Sequence, residues 1–114
     1  MNQGISTIIY PVKDLARAKE LYGQLLDVEP YVDAPYYLGF RVGGLEIGFN
    51  PHGHAEGMTG PVSYWQVGDI GQSLQELLGA GARALQDPTD VGGGKLIAKV
   101  KDADGNVIGL VQEP

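Results

Sequence analysis

The sequence has no cysteine, few basic residues and no long apolar run, and each absence excludes a class of function. Without cysteine the protein can form neither disulfide bonds nor thiolate metal sites, and it has no thiol nucleophile. Eight Lys and Arg residues against 14 Asp and Glu leave a net charge of −6. This charge opposes the electrostatic attraction on which binding to nucleic acids and anionic membranes depends. We therefore predict neither of these partners.

The first residues also lack the basic region and apolar run of a secretory signal, and no stretch approaches the length of a membrane span. The expectation is a soluble, cytoplasmic protein. Its 114 residues fit one domain that spans 1–114. Glycine, by contrast, is abundant, with 18 residues, or about twice the usual share of roughly 7%. This excess predicts tight turns and places where the backbone approaches something closely.

Two glycine-containing turns each join a pair of predicted strands. Residues 102–106, Asp-Ala-Asp-Gly-Asn, consist mainly of residue types that tolerate positive φ or hydrogen-bond their own backbone, which predicts a hairpin between strands at 95–101 and 107–111. Gly43-Gly44 similarly connects predicted strands at 37–42 and 45–50. When Gly44 is aligned with Gly105, Gly48 falls on Gly109, which indicates a duplicated unit.

The remaining pattern supports the duplication. A β-branched and aromatic segment, then an Asp cap and an apolar helical stripe, occur in both halves. Module one is predicted at about 4–51, with strands at 5–12, 30–32, 37–42 and 45–50 and a helix from the Asp14 cap to about Leu26. A linker at about 51–60 follows. Module two is predicted at about 61–114, with strands at 62–67, 84–85, 95–101 and 107–111, and a helix that starts at Asp69 with Gln72 placed for a capping box.

Paired helix starts and the hairpin turn together resemble a known family. Val12-Lys13-Asp14-Leu15 recurs as Val67-Gly68-Asp69-Ile70, and the Asp-x-Asp-Gly-Asn turn closes the second module. These features resemble the vicinal oxygen chelate superfamily, which includes glyoxalases, bleomycin-resistance proteins and extradiol dioxygenases. The resemblance implies an α+β fold of two tandem βαβββ modules that form curved sheets around a groove, with the helices outside. It also implies a homodimer.

Metal-dependent members of that superfamily carry ligands on the first and last strand of each module. The resemblance places these positions at Thr7, Gly48, Val62 and Gly109, none of which provides a strong metal ligand. We therefore expect no metal and no cofactor. A second possibility is that His52 and His54 bind a metal with nearby carboxylates, although both lie off the first strands and also fit a solvated loop.

Strand alternation then predicts which side chains face the groove. The expected ligand-binding residues are Thr7, Glu46, Asn50, Tyr64, Gln66, Val107 and Val111. Trp65 has the opposite parity and is predicted in the core. Arg41 is predicted at the solvated edge of the sheet, with anion binding as the alternative.

Glu46 is the candidate for chemistry, since a carboxylate in a partly apolar groove would have a raised pKa and could act as a general base or as the counter-ion of a cationic ligand. The first hypothesis is metal-independent sequestration of a small organic molecule, as in the bleomycin-resistance branch, and hence a role in antibiotic resistance; the acidic charge favours a cationic aromatic ligand. The alternative is a glyoxalase- or dioxygenase-type lyase, isomerase or oxidoreductase, with an unusual metal site or with Glu46 as its catalytic residue. A third reading is a regulatory module with a vestigial groove.

Overall fold

The computed structural model describes residues 3–114, which form eight strands and two helices. The chain divides into two compact units, residues 7–62 and residues 63–114 together with the segment before Thr7. The elements of the first half are β1 (Ile5–Pro11), α1 (Leu15–Leu26), β2 (Val32–Ala34), β3 (Tyr37–Val42) and β4 (Leu45–Asn50). Those of the second half are β5 (Val62–Gln66), α2 (Ile70–Gly79), β6 (Arg83–Asp90), β7 (Leu96–Lys101) and β8 (Val107–Gln112).

In module one the strands lie in the order β2-β3-β4-β1, with β1 parallel to β4 and the other neighbours antiparallel. The β3–β4 hairpin turns at Gly43 and Gly44, whose φ angles of +56° and +81° are those that glycine adopts without steric cost. This two-residue turn fixes the register, so that Arg41 pairs with Glu46. The hairpin predicted from the sequence is confirmed.

Helix α1 covers one face of the module-one sheet. It begins because the Asp14 carboxylate accepts hydrogen bonds from the backbone N–H groups of Ala16 and Arg17, at 2.9 and 3.2 Å. Its buried face packs on a core of Leu38, Phe40 and Phe49, each 1% exposed or less. Since side chains alternate along β3 and β4, the residues between these core positions lie on the opposite face of the sheet.

Module two repeats the arrangement in the order β5-β8-β7-β6, with β5 parallel to β8. The β7–β8 hairpin is closed by Asp102, whose carboxylate accepts hydrogen bonds from the backbone N–H groups of Asp104 and Asn106, at 2.9 and 2.8 Å. Its other oxygen accepts one from the Asn106 amide at 2.9 Å. Together these bonds, with the Asn106 side chain as the largest cause, lower the pKa of Asp102.

Helix α2 packs its apolar stripe against the second sheet. Asp69 caps it by accepting a hydrogen bond from the backbone N–H of Gln72 at 3.0 Å. Ile70 and Leu74 are buried with Val100 and Leu110, and Trp65 packs against this cluster. The prediction that Trp65 belongs to the core is therefore confirmed.

Three details differ from the sequence prediction. Strand β2 begins at Val32 rather than at residue 30, because Pro30 cannot donate to a strand ladder. Strand β6 extends to Asp90 through Pro88, which is tolerated because this strand has a neighbour on one side only. The Gln72 side chain donates to Glu76 at 3.3 Å instead of completing a capping box.

The element order and the strand order confirm the predicted α+β fold of two tandem βαβββ modules. Neither helix within residues 3–114 has the length and apolar character needed to cross a membrane.

Candidate functional site

Tyrosine rings lie over Gly48 and Gly109, the two glycines at the predicted last-strand ligand positions. Gly48 and Gly109 are both buried. A Cβ added at Gly109 would lie 2.5 Å from Cδ1 of Tyr64, closer than nonbonded carbon atoms approach. One added at Gly48 would collide with the Tyr37 hydroxyl and would lie 2.5 Å from Cζ of the same ring. In each module an aromatic ring thus occupies the space that a side chain at this position would need.

The Tyr37 ring lies across two glycines and its hydroxyl contacts Glu46. On β3 and β4, Gly39 and Gly48 are directly paired, and a Cβ on Gly39 would lie 3.0 Å from Cε2 of Tyr37. Because neither residue has a side chain, the ring can lie across both. Its hydroxyl donates to Oε2 of Glu46 at 2.5 Å, in a half-buried hydrogen bond. This distance is at the short end of the range for hydrogen bonds between two oxygen atoms.

Tyr31 and Arg41 complete a cluster around the same carboxylate. The guanidinium carbon of Arg41 lies 4.3 Å from the centroid of the Tyr31 ring, within cation–π distance. Burial is the largest influence that raises the pKa of Tyr31 to about 12; its hydrogen bond with Glu46 and the charge of that carboxylate add to it, while Arg41 acts in the opposite direction. We call Tyr31, Tyr37, Arg41 and Glu46 the tyrosine–glutamate cluster. Arg41 is exposed to solvent, as predicted, and it also stacks on an aromatic ring; its strand β3 lies between β2 and β4 rather than at the edge of the sheet.

Two other predicted site residues of module one lie on β1 and on β4, the strand that carries Glu46. Thr7 on β1 is paired with Glu46 on β4. Asn50, at the end of β4, is engaged with the following loop: its amide donates to Glu56 at 3.0 Å, and its oxygen accepts from the backbone N–H of His52 at 2.9 Å. Asn50 therefore orders the start of the linker, and contact between either residue and a ligand stays a prediction.

In module two, four predicted residues lie on the adjacent strands β5 and β8. Tyr64 pairs with Gly109 and is 9% exposed, and Gln66 pairs with Val111, which is 1% exposed. Val107 is half-buried at the start of β8. As Tyr64 and Val111 present little surface to solvent, their ligand-binding roles stay predictions that would require local movement.

The donor set at the family's metal positions does not fit a metal ion. Val62 has no donor atom, and the Thr7 hydroxyl is a poor ligand for the transition metals concerned. Both glycines lack side chains, and the tyrosine rings occupy the space above them. His52 and His54 are both exposed in the linker. Within residues 3–114, no group of three or more His, Cys, Asp or Glu residues is arranged to hold a metal.

Sequence reasoning identified Glu46 but did not include its neighbours Tyr31, Tyr37 and Arg41. Two of them could have been found, because the two-residue turn at 43–44 sets the hairpin register and alternation then places Tyr37 and Arg41 on the face of Glu46. Tyr31 precedes β2 and is brought in when its backbone N–H donates to the carbonyl of Gly39 at 2.9 Å. No local pattern signals that contact.

Solved structures with the same fold come from several bacteria. An NAD-dependent benzaldehyde dehydrogenase from Legionella pneumophila aligns with a TM-score of 0.74 and 19% identity, covering 95% of this chain and 98% of that one. A hypothetical protein from Bacillus halodurans gives 0.77 and 15%, covering 97% and 94%. A variant methylmalonyl-CoA epimerase from Streptomyces coelicolor, in complex with 2-nitronate-propionyl-CoA, gives 0.72 and 17%, covering 99% of both chains. At these identities the likeness shows the fold.

The sequence itself decides the family. No curated relative matches the chain in sequence. The family profile described as Glyoxalase/Bleomycin resistance protein/Dioxygenase superfamily, however, matches residues 4–110, which is nearly the whole chain and includes both modules. The chain belongs to the Glyoxalase/Bleomycin resistance protein/Dioxygenase superfamily.

Proposed function

We propose that the protein binds a small organic molecule without a metal, that this molecule is a cationic aromatic compound, and that the tyrosine–glutamate cluster receives it. The observation that carries the proposal is the half-buried Glu46 carboxylate, held by the Tyr37 hydroxyl and bordered by Tyr31. Capture of this kind would resemble the bleomycin-resistance branch of the superfamily, and it would confer resistance if the ligand were an antibiotic.

The chemistry of the cluster suits such a ligand. A carboxylate partly withdrawn from water attracts a cation more strongly than an exposed one, and the face of a tyrosine ring attracts cations and stacks on aromatic rings. Tyr31 is 42% exposed, so part of its ring is accessible. The net charge of −6 also favours the approach of a cation.

Module two lacks the corresponding charge, which favours module one as the site. Aligning Gly48 with Gly109 places Val107 at the position of Glu46, and Lys101 pairs with Val107 as Arg41 pairs with Glu46. At this pair of positions the second module therefore has a basic residue, Lys101, but no acidic residue opposite it. A cation would find its counter-ion in module one.

The test is a calorimetric titration with N-methylacridinium, a flat aromatic cation. We expect saturable binding, and we expect Glu46→Gln to weaken it about tenfold or more, since the loss of one half-buried counter-ion is worth at least ~1.4 kcal/mol. Two controls distinguish binding at Glu46 from a general attraction of the cation to the negatively charged protein. Glu20→Gln removes an exposed carboxylate from α1 and should change the affinity less than twofold, and uncharged acridine, at slightly alkaline pH, should bind more weakly than the cation.

Absence of saturable binding at micromolar to millimolar concentrations, or equal affinities in Glu46→Gln and Glu20→Gln, would contradict the proposal. Thermal unfolding of each variant checks that the fold is intact. If the Glu46→Gln variant unfolds early, Glu46→Ala and Tyr37→Phe provide independent tests of the same cluster.

A second candidate is enzymatic, with Glu46 as a metal-independent general base of a lyase or isomerase. The specific observation is that the half-buried Glu46 carboxylate accepts a hydrogen bond from the Tyr37 hydroxyl at Oε2, while Arg41 stands opposite on β3 and could bind an anionic substrate group. The epimerase from Streptomyces coelicolor with its bound CoA derivative suggests acyl-CoA thioesters as a substrate class.

Exchange of carbon-bound hydrogen for deuterium, followed by NMR on a panel of acyl-CoA thioesters, tests this candidate. Exchange that is lost in Glu46→Gln while thioester binding is retained would identify a base that acts only in the chemical step. Protein that binds N-methylacridinium but exchanges no substrate hydrogen would favour sequestration. The homodimer stays a prediction, which sedimentation at several protein concentrations would test.

A further inference from the structure

Arg41 lies on the aromatic ring that the proposed cationic ligand would use. Its guanidinium carbon lies 4.3 Å from the centroid of the Tyr31 ring, and its backbone is paired with that of Glu46 on the neighbouring strand. A positive charge is therefore already present on the aromatic face beside the carboxylate. Any cationic ligand that used the same face would have to replace it.

The position of Arg41 allows that replacement. The residue is exposed, and it stands one residue before the end of β3, close to the Gly43-Gly44 turn. Its guanidinium contacts the Tyr31 ring, and a hydrogen bond also links Arg41 to Tyr31. A long, flexible side chain held mainly at one ring can move into solvent without disturbing the sheet.

We propose that Arg41 is an internal competitor, which covers the Tyr31 ring in the free protein and selects ligands by requiring them to displace it. This inference rests on the proposed function, since it assumes that Glu46 and Tyr31 bind an organic cation. A small cation with one point of contact would gain little more interaction free energy than the protein loses when Arg41 leaves the ring. A flat aromatic cation, which can both stack on the ring and pair with Glu46, would gain enough to displace it.

Substitution of Arg41 should therefore tighten binding. We expect Arg41→Gln to raise the affinity for N-methylacridinium about fivefold, because a cation–π contact at a partly exposed site contributes a factor of this size. Arg41→Lys should fall between the wild type and Arg41→Gln, because the ammonium group stacks less well on a ring. The matched control is Arg83→Gln, which removes the same charge from an exposed position on β6 and should change the affinity less than twofold.

A double-mutant cycle distinguishes competition at the ring from a change in overall charge. In a Tyr31→Leu background the Arg41→Gln substitution should no longer tighten binding, because the contested ring is absent. Equal effects of Arg41→Gln and Arg83→Gln, weaker binding by Arg41→Gln, or an undiminished gain in the Tyr31→Leu background would each overturn the inference.

Failure of the inference and failure of the proposed function give different results. If the wild type binds N-methylacridinium in a Glu46-dependent manner but Arg41→Gln gives no gain, only the role of Arg41 is wrong. If neither the wild type nor Arg41→Gln binds the cation, the proposed function fails and the inference fails with it. Acridine-9-carboxylate provides the opposite case: binding of this anion that is lost in Arg41→Gln would assign Arg41 to anion recognition and contradict competition.

Discussion

At the scale of single residues, a tyrosine ring packs on a glycine at each of the two predicted last-strand ligand positions. Gly109 lies under Tyr64 and Gly48 lies under Tyr37. Restoring a ligand side chain at either glycine would require the ring to move. The two glycines therefore lack metal-donor side chains, and the tyrosine rings packed on them leave no space for one.

Substitution of Gly109 tests this packing. We expect Gly109→Ala to lower the free energy of unfolding by about 1–3 kcal/mol, because its Cβ would lie 2.5 Å from Cδ1 of Tyr64 and overpacking of a core costs that much. Urea unfolding measures the change. The control is Gly79→Ala at the end of α2, where the added Cβ would meet no atom within 4 Å apart from its chain neighbours and the backbone of its own helix; alanine there should be neutral or stabilising by up to ~1 kcal/mol.

A double-mutant cycle tests whether the Tyr64 ring is what opposes a side chain at Gly109. If the ring is the obstacle, Gly109→Ala in a Tyr64→Leu background should cost markedly less than it costs alone. Additive effects of the two substitutions would mean that the glycine is required for another reason.

At the scale of elements, hairpins and helix caps were the most predictable parts because their chemistry is local. The turns at 43–44 and 102–106 and the caps at Asp14 and Asp69 all depend on residues within a few positions of each other. Strand β6 is longer than predicted and includes Pro88, a residue type that is unfavourable in strands with two neighbours. Only the sheet order shows that β6 has a free side on which proline is tolerated.

The Asp102 turn gives a prediction that depends on pH. Hydrogen bonds, first from the Asn106 side chain, lower the pKa of Asp102 below its usual 3.8. A carboxyl with a depressed pKa contributes stability above the unfolded-state pKa, and that contribution is lost as the pH falls through the folded-state pKa. We therefore expect Asp102→Ala to be less stable than the wild type at neutral pH and the difference to shrink below pH 3.8.

Urea unfolding of both proteins between neutral pH and pH 3 measures this difference, with Asp104→Ala as the control. Asp104 contributes its backbone N–H to the turn, which alanine retains, so the control should stay close to the wild type throughout. An Asp102→Ala deficit that is unchanged across the acidic range would contradict the assigned role of the carboxylate.

At the scale of the whole chain, two modules share one topology but differ in the charges they carry. The repeat was readable from the paired helix starts and turns, since duplication copies local sequence along with the fold. The cluster was only partly readable: the hairpin register brings Arg41 opposite Glu46, whereas Tyr31 arrives through a tertiary hydrogen bond to Gly39. The repeated fold could thus be predicted from local sequence, and the full binding chemistry could not.

The most direct test of metal-independent binding is a titration of N-methylacridinium into chelator-treated protein, repeated after addition of zinc, manganese, nickel or ferrous iron. Because the family's metal positions carry two glycines, a valine and a threonine, we predict that the affinity of the chelated protein equals that of each metal-supplemented sample within twofold. Binding that disappears after chelation and returns with stoichiometric uptake of one of these metals would contradict the account.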